Sequence, residues 1–254
     1  MRHAFTALAL VFLIVGSVIA DGPATTNQPS SVKEILDSVL AQMPHDPVLI
    51  TGRLSVRDRG QTILFSYKME MQLQVDDENL AGSYTLSTHS GTSLERFLVS
   101  RSAGQPPKYE YAVGDPLRPA PPPDVFTTIR DTGVTWSDLA LPFLWWRDGV
   151  IVGSGSVKGR ECFIIDVKPP AAETKTPVVA RVWIDQKYRM LLQAEEHAPD
   201  GKILRRLTVQ SFKKINDEWM IKDIVVEGSA ALPQGYKSIL TIQDMRSLGK
   251  PSTP

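Results

Sequence analysis

Cysteine occurs once in the 254 residues, at Cys162, and histidine four times. A single thiol cannot form a disulfide within the chain, and so few soft donors leave little for a multi-ligand metal cluster. Net charge is absent as well: 28 Lys and Arg balance 28 Asp and Glu. That balance, with no Lys/Arg-rich run, argues against a nucleic-acid partner. There is no glycine-rich phosphate loop, no serine in a nucleophile-elbow pattern and no paired-cysteine redox motif. Nothing implies a metal or a cofactor. What is there is foldable: 42 % hydrophobic and 22 % charged residues describe a globular chain.

The N-terminus reads as an export signal. Arg2 and His3 lead into an apolar stretch from Ala4 to Ala20, followed by Asp21-Gly22. A basic start, an apolar core and a small-residue exit at Val18-Ile19-Ala20 predict cleavage after residue 20. An uncleaved anchor is the alternative. No cysteine stands at the exit, so lipid modification there is ruled out. The reading is a soluble periplasmic protein with residues 1–20 as signal peptide and 21–30 as a flexible segment. A single domain then covers 31–248, with a tail at 249–254.

The spacing predicts a first helix over Ser31 to Met43. Ser31 and Glu34 form a capping box, and Val32, Ile35, Leu36, Val39, Leu40 and Met43 make one apolar stripe. The long alternation from Thr62 to Val75 predicts a strand with one wet face. Phe65, Tyr67, Met69 and Met71 stand on one side, Lys68, Glu70 and Gln72 on the other. Shorter strands are read at Ile50 to Arg57, Gly82 to Thr88, Glu95 to Val99 and Tyr109 to Val113. Residues 114–124 hold five prolines and cannot be a central strand or a helix interior. Thr135 and Asp138 cap a short helix that Pro142 limits. From Val150 to Asp244 the chain reads as a meander of antiparallel strands, with a hairpin signal at Asp200-Gly201.

About ten strands with two helices predict a mainly β fold. The expectation is a strongly curved antiparallel sheet forming an incomplete barrel, with the helices covering its concave face. A closed barrel and a two-sheet sandwich are the alternatives.

Catalytic constellations do not emerge. Cys162 lies in a strand pattern and reads as a small buried hydrophobe. His45, His89 and His197 read as turn residues, and nothing makes Asp166 and Asp185 an acid/base pair. The chain therefore reads as a non-enzyme. Its distinctive feature is aromatic: Trp136, Phe143, Leu144, Trp145 and Trp146 crowd beside Pro142. Such a cluster either plugs an open sheet or lines an apolar cavity.

Several segments, in order, resemble a known family. These are Thr132-Gly133-Val134-Thr135-Trp136-Ser137-Asp138-Leu139, the strand Gly159 to Pro169, Val182-Trp183-Ile184-Asp185, Asp200-Gly201-Lys202 and Trp219-Met220-Ile221-Lys222. Together they resemble the periplasmic outer-membrane lipoprotein-sorting proteins of the LolA-like superfamily. The resemblance implies an incomplete barrel that holds lipid or acyl chains. Its apolar lining would map to Phe65, Tyr67, Met69 and Met71 on the long strand, and to Trp136, Leu139, Phe143 and Leu144 on a lid. It implies lipoprotein acyl chains or other long-chain lipids as ligands, transient membrane-protein partners in the envelope, and a role in lipoprotein sorting. A lipid-sensing or protein-interaction module is the alternative function.

Overall fold

The computed structural model describes residues 31–75, 79–102, 105–171, 173, 178–215 and 218–249. The expected signal peptide, the segment 21–30, residues 216–217 and residues 250–254 lie outside the described residues.

Ser31 caps α1 (Val32–Leu40) by accepting a hydrogen bond from the Glu34 amide at 3.2 Å. The helix ends three residues before Met43, where 41–43 continue as a turn. Five strands follow: β1 (Val48–Arg57), β2 (Ile63–Val75), β3 (Asn79–Ser87), β4 (Ser93–Ser102) and β5 (Lys108–Val113). The proline-rich stretch contributes a three-residue strand, β6 (Arg118–Ala120). Next come α2 (Trp136–Ala140) and a 3-10 turn at Pro142–Trp145. The second half is a meander of β7 (Asp148–Val157), β8 (Arg160–Lys168), β9 (Val179–Asp185), β10 (Leu191–His197), β11 (Ile203–Ile215), β12 (Glu218–Glu227) and β13 (Lys237–Ser247). Lys158 and Gly159 both have positive φ, which the tight β7–β8 hairpin requires.

All thirteen strands form one sheet, in the order β6-β5-β4-β3-β2-β1-β13-β12-β11-β10-β9-β8-β7. Two antiparallel meanders are joined where β1 pairs with β13, from Val48 opposite Ser247 to Arg57 opposite Lys237. This corrects the expectation of a strongly curved sheet forming an incomplete barrel. The sheet is open, and its end strands β6 and β7 do not pair. Closure needs a full hydrogen-bonding ladder between the edges. A three-residue strand containing Pro119, followed by Pro121, Pro122 and Pro123, cannot supply one.

The apolar sides of α1, α2 and the 3-10 turn share one core with the inward residues of the sheet. The register aligns Met71, Tyr84, Phe97 and Tyr111 in a row across β2 to β5. Ile35 and Leu36 are completely buried on α1. A smaller cluster of Val157, Cys162 and Leu192 forms separately, with Trp183, Met190 and Phe212 against it. Cys162 is fully buried there, and its burial pushes the thiol pKa up.

Candidate functional site

The aromatic segment after β6 crosses the apolar side of the sheet as a short lid. Its root is pinned at Gly133, whose amide donates to the buried Ser238 hydroxyl at 2.9 Å. A Cβ at Gly133 would come within 2.9 Å of the Ser229 Cβ, so only glycine fits this approach without movement. Thr135 then opens α2 with a complete capping box. Its side chain accepts from the Asp138 amide, while its own amide donates to the Asp138 carboxylate at 2.8 Å. Leu141 takes the left-handed conformation at φ 46°, ending the helix and turning the chain into Pro142–Trp145.

The lid grips both halves of the sheet. Towards β3–β5, Trp136 stacks on Phe97 with ring centroids 4.7 Å apart, and Tyr111 meets it edge-on at 6.1 Å. The Tyr84 hydroxyl donates to the Leu139 carbonyl at 3.1 Å. Towards β10 and β11, Asp138 pairs with Arg205, whose Nε also donates to Glu196 at 2.5 Å. Burial disfavours the charge on Arg205, but Asp138 and Glu196 outweigh it and hold the guanidinium pKa up. At the far end, Trp146 Nε1 donates to Glu173 at 3.0 Å, and Arg101 of β4 donates to both oxygens of that carboxylate at 2.8 Å. Arg147 ties the end of the lid to α1 through Asp37 at 2.7 Å.

Of the eight residues expected to line a ligand site, Met69, Met71, Trp136, Phe143 and Leu144 are buried in the main core, and Tyr67 and Leu139 pack against it half-buried. Phe65 is half-buried outside that cluster and meets Tyr67 edge-on at 5.9 Å. A void of about 20 Å³ between the lid and β9–β11, bordered by Phe126, Phe143, Trp146, Ala180, Ala194 and Leu207, holds about one water. A larger groove of about 330 Å³ lies over β2 to β5. Gln72, Gln74, Ala81, Ser83, Leu98, Ser100, Lys108 and Glu110 border it, together with Pro47 and Leu248. In each of these strands they alternate with the core residues, so the groove is on the sheet's wet side.

Sequence reasoning did not identify Arg101, Glu173, Glu196 or Arg205 as lid anchors. The ties from Arg205 to Asp138 and from Arg101 to Glu173 span 67 and 72 residues of sequence, and only Asp138 carried a local signal, as a cap. Among the described residues, no group of three or more His, Cys, Asp or Glu side chains is placed to hold a metal ion. Among them, too, no helix is long and apolar enough to cross a membrane.

A family model described only as "Uncharacterized protein" matches residues 128–249, from the lid root to the end of the last strand. No curated protein matches the chain. Solved structures do. A DUF1329 family protein from Desulfovibrio piger superposes with a TM-score of 0.69 at 15 % identity, covering 88 % of this chain and 96 % of its own. A domain assigned by name to outer membrane lipoprotein sorting, from Vibrio parahaemolyticus, gives 0.68 at 14 % identity, covering 87 % and 93 %. A LolA superfamily protein from Nitrosomonas europaea gives 0.64 at 15 % identity, covering 88 % and 96 %. At these identities the likeness is one of fold, and it extends over nearly the whole length of all three.

Proposed function

We propose that the chain is a non-enzymatic periplasmic binding protein for lipoprotein acyl chains or other long-chain lipids, acting in outer-membrane lipoprotein sorting. In this reading residues 1–20 are removed on export, 31–248 act as one domain, and membrane proteins of the envelope are transient partners. The observation that carries it is the lid. Trp136, Leu139, Phe143 and Leu144 lay apolar side chains on an apolar sheet face, and Phe143 also borders a void of about 20 Å³. A ligand therefore enters by displacing the lid and replacing its contacts.

The magnitudes allow this exchange. Burying about ten methylenes contributes on the order of 8 kcal/mol before ordering costs. Against it stand the lid's aromatic contacts and a few polar ties. A neighbouring membrane or receptor that favours the open state would lower the opening cost further.

Titration of the mature protein with a fluorescent acyl ligand tests the reading, with circular dichroism alongside. Saturable binding is expected. Phe143→Asp places a carboxylate in a buried apolar position and should weaken binding strongly while leaving most of the sheet signal. Absence of saturable binding by the folded wild-type protein would overturn the acyl-carrier reading. Equal binding by both proteins would remove only the role of Phe143.

A second reading, a protein-interaction or lipid-sensing module, is favoured by one observation. The space on the wet side of β2–β5 exceeds that under the lid. Leu98→Glu, in that groove, should abolish partner binding in this reading and leave acyl binding untouched.

A further inference from the structure

The two edges of the sheet are built differently. β6 is three residues long, contains Pro119 and is flanked by Pro116 and Pro121. Proline offers no amide to an incoming strand, so this edge is blunted. β7, at the other end, has ten residues, no proline and a single charge, Asp148. Among the described residues, no strand pairs with its outer side. Val150, Ile151 and Val152 are 59, 40 and 49 % exposed. A bulge between Ile151 and Gly153 interrupts the alternation, so three successive apolar side chains reach solvent. Beyond that bulge and Asp148, the described residues place no charge or proline on this edge.

We infer that β7 pairs antiparallel with β7 of a second copy, joining two sheets edge to edge in a two-fold dimer. Pairing centred on Ile151 sets Val150 against Val152 of the second copy, and Asp148 against its Ser154. The strand's one charge then meets a hydroxyl. Parallel pairing in register would instead place Asp148 beside its own copy, where like charges repel. The strand is thus complementary to itself in the orientation a two-fold axis demands. One strand pair buries less than the roughly 1,600 Å² of a standard stable interface, so the dimer forms in a concentration-dependent equilibrium.

Sedimentation equilibrium of the mature chain over a wide concentration range tests this. The average mass should rise from one chain towards two and stop there. Val150→Lys and Val152→Lys, both at exposed positions, should each hold the protein as a monomer at concentrations where the wild type dimerises. Ala120→Lys on β6 should dimerise like the wild type. Circular dichroism confirms the fold of each variant, and having two β7 variants guards against the loss of one. A mass that stays monomeric at all concentrations would overturn the inference. So would dimerisation unaffected by either β7 variant, or growth beyond two chains.

Discussion

Arg205 of β11 and Asp138 of α2 form a nearly dry ion pair across 67 residues of sequence, their side chains only 11 and 9 % exposed. The same guanidinium holds Glu196 of β10, and the same carboxylate closes the capping box of α2. One cation therefore links the lid's internal geometry to its seat on the sheet.

Arg205→Met should destabilise the protein by about 3–5 kcal/mol, because it strands two largely buried carboxylates without a counter-charge. Much of that loss should return in the triple variant Arg205→Met, Asp138→Asn, Glu196→Gln, which removes the charges together. Urea unfolding of the two variants checks this. An unchanged midpoint for Arg205→Met would mean that the ion pair does not hold the lid.

The stack of Trp136 on Phe97 is the lid's main apolar contact on the other side. Trp136→Ala should cost about 3–5 kcal/mol, the usual range for emptying a buried aromatic site. A double-mutant cycle with Phe97→Ala should leave a coupling of about 1 kcal/mol for the ring pair itself. Additive effects would show that the two rings fill space independently. If so, Trp136 could lift away without loss at Phe97.

Local chemistry made much of this architecture legible. The cap at Ser31 and the capping box at Thr135/Asp138 place both α-helices, and the alternation from Ile63 to Val75 places β2 and its wet face. The Asp200-Gly201 turn marks the β10–β11 hairpin. Pairing between distant segments left no such mark. β1 meets β13 through nearly two hundred residues of intervening chain, and hydrophobic period says nothing of which strands become neighbours. The barrel expectation failed for the same reason. Strand count suggested a strongly curled sheet approaching a barrel, while the outcome depended on which segment became the last strand and whether its amides were free to pair. Residues 118–120, set among prolines, decided it. The lid's anchors were invisible because Arg101 and Arg205 sit in strand patterns that any surface arginine would satisfy.

Asp223 on β12 sets part of the acid sensitivity. Its burial alone would raise its pKa. The Ser211 and Thr241 hydroxyls, donating at 2.6 and 2.8 Å, with Lys222 and Arg57 nearby, outweigh that and hold it below its ordinary 3.8. A carboxyl with a lowered folded-state pKa stabilises above its unfolded value, and that stability is lost as pH falls through the folded one. Asp223→Asn should therefore flatten the fall in the urea midpoint below about pH 4. Parallel acid profiles for the two proteins would rule this out.

Alkaline pH should act through the tyrosines around the lid. Burial raises the pKa of Tyr84. Burial and the negative charge of Glu173 push Tyr109 up to about 12 against the pull of Arg101. Burial raises Tyr111 as well, reinforced by its hydrogen bond to Glu95 and that residue's charge, against the opposing charge of Arg130. In the unfolded chain such phenols ionise near pH 10. Above that pH the unfolded state binds fewer protons than the folded one, so stability falls as pH rises towards the folded values. Phenolate absorbance followed together with circular dichroism should show these three ionising only as the sheet signal disappears. Tyr84→Phe, Tyr109→Phe and Tyr111→Phe identify each contribution by difference. Reversible ionisation of Tyr84 near pH 10 with the sheet intact would mean that the lid opens freely in solution, and that its contacts oppose ligand entry far less than the buried geometry requires.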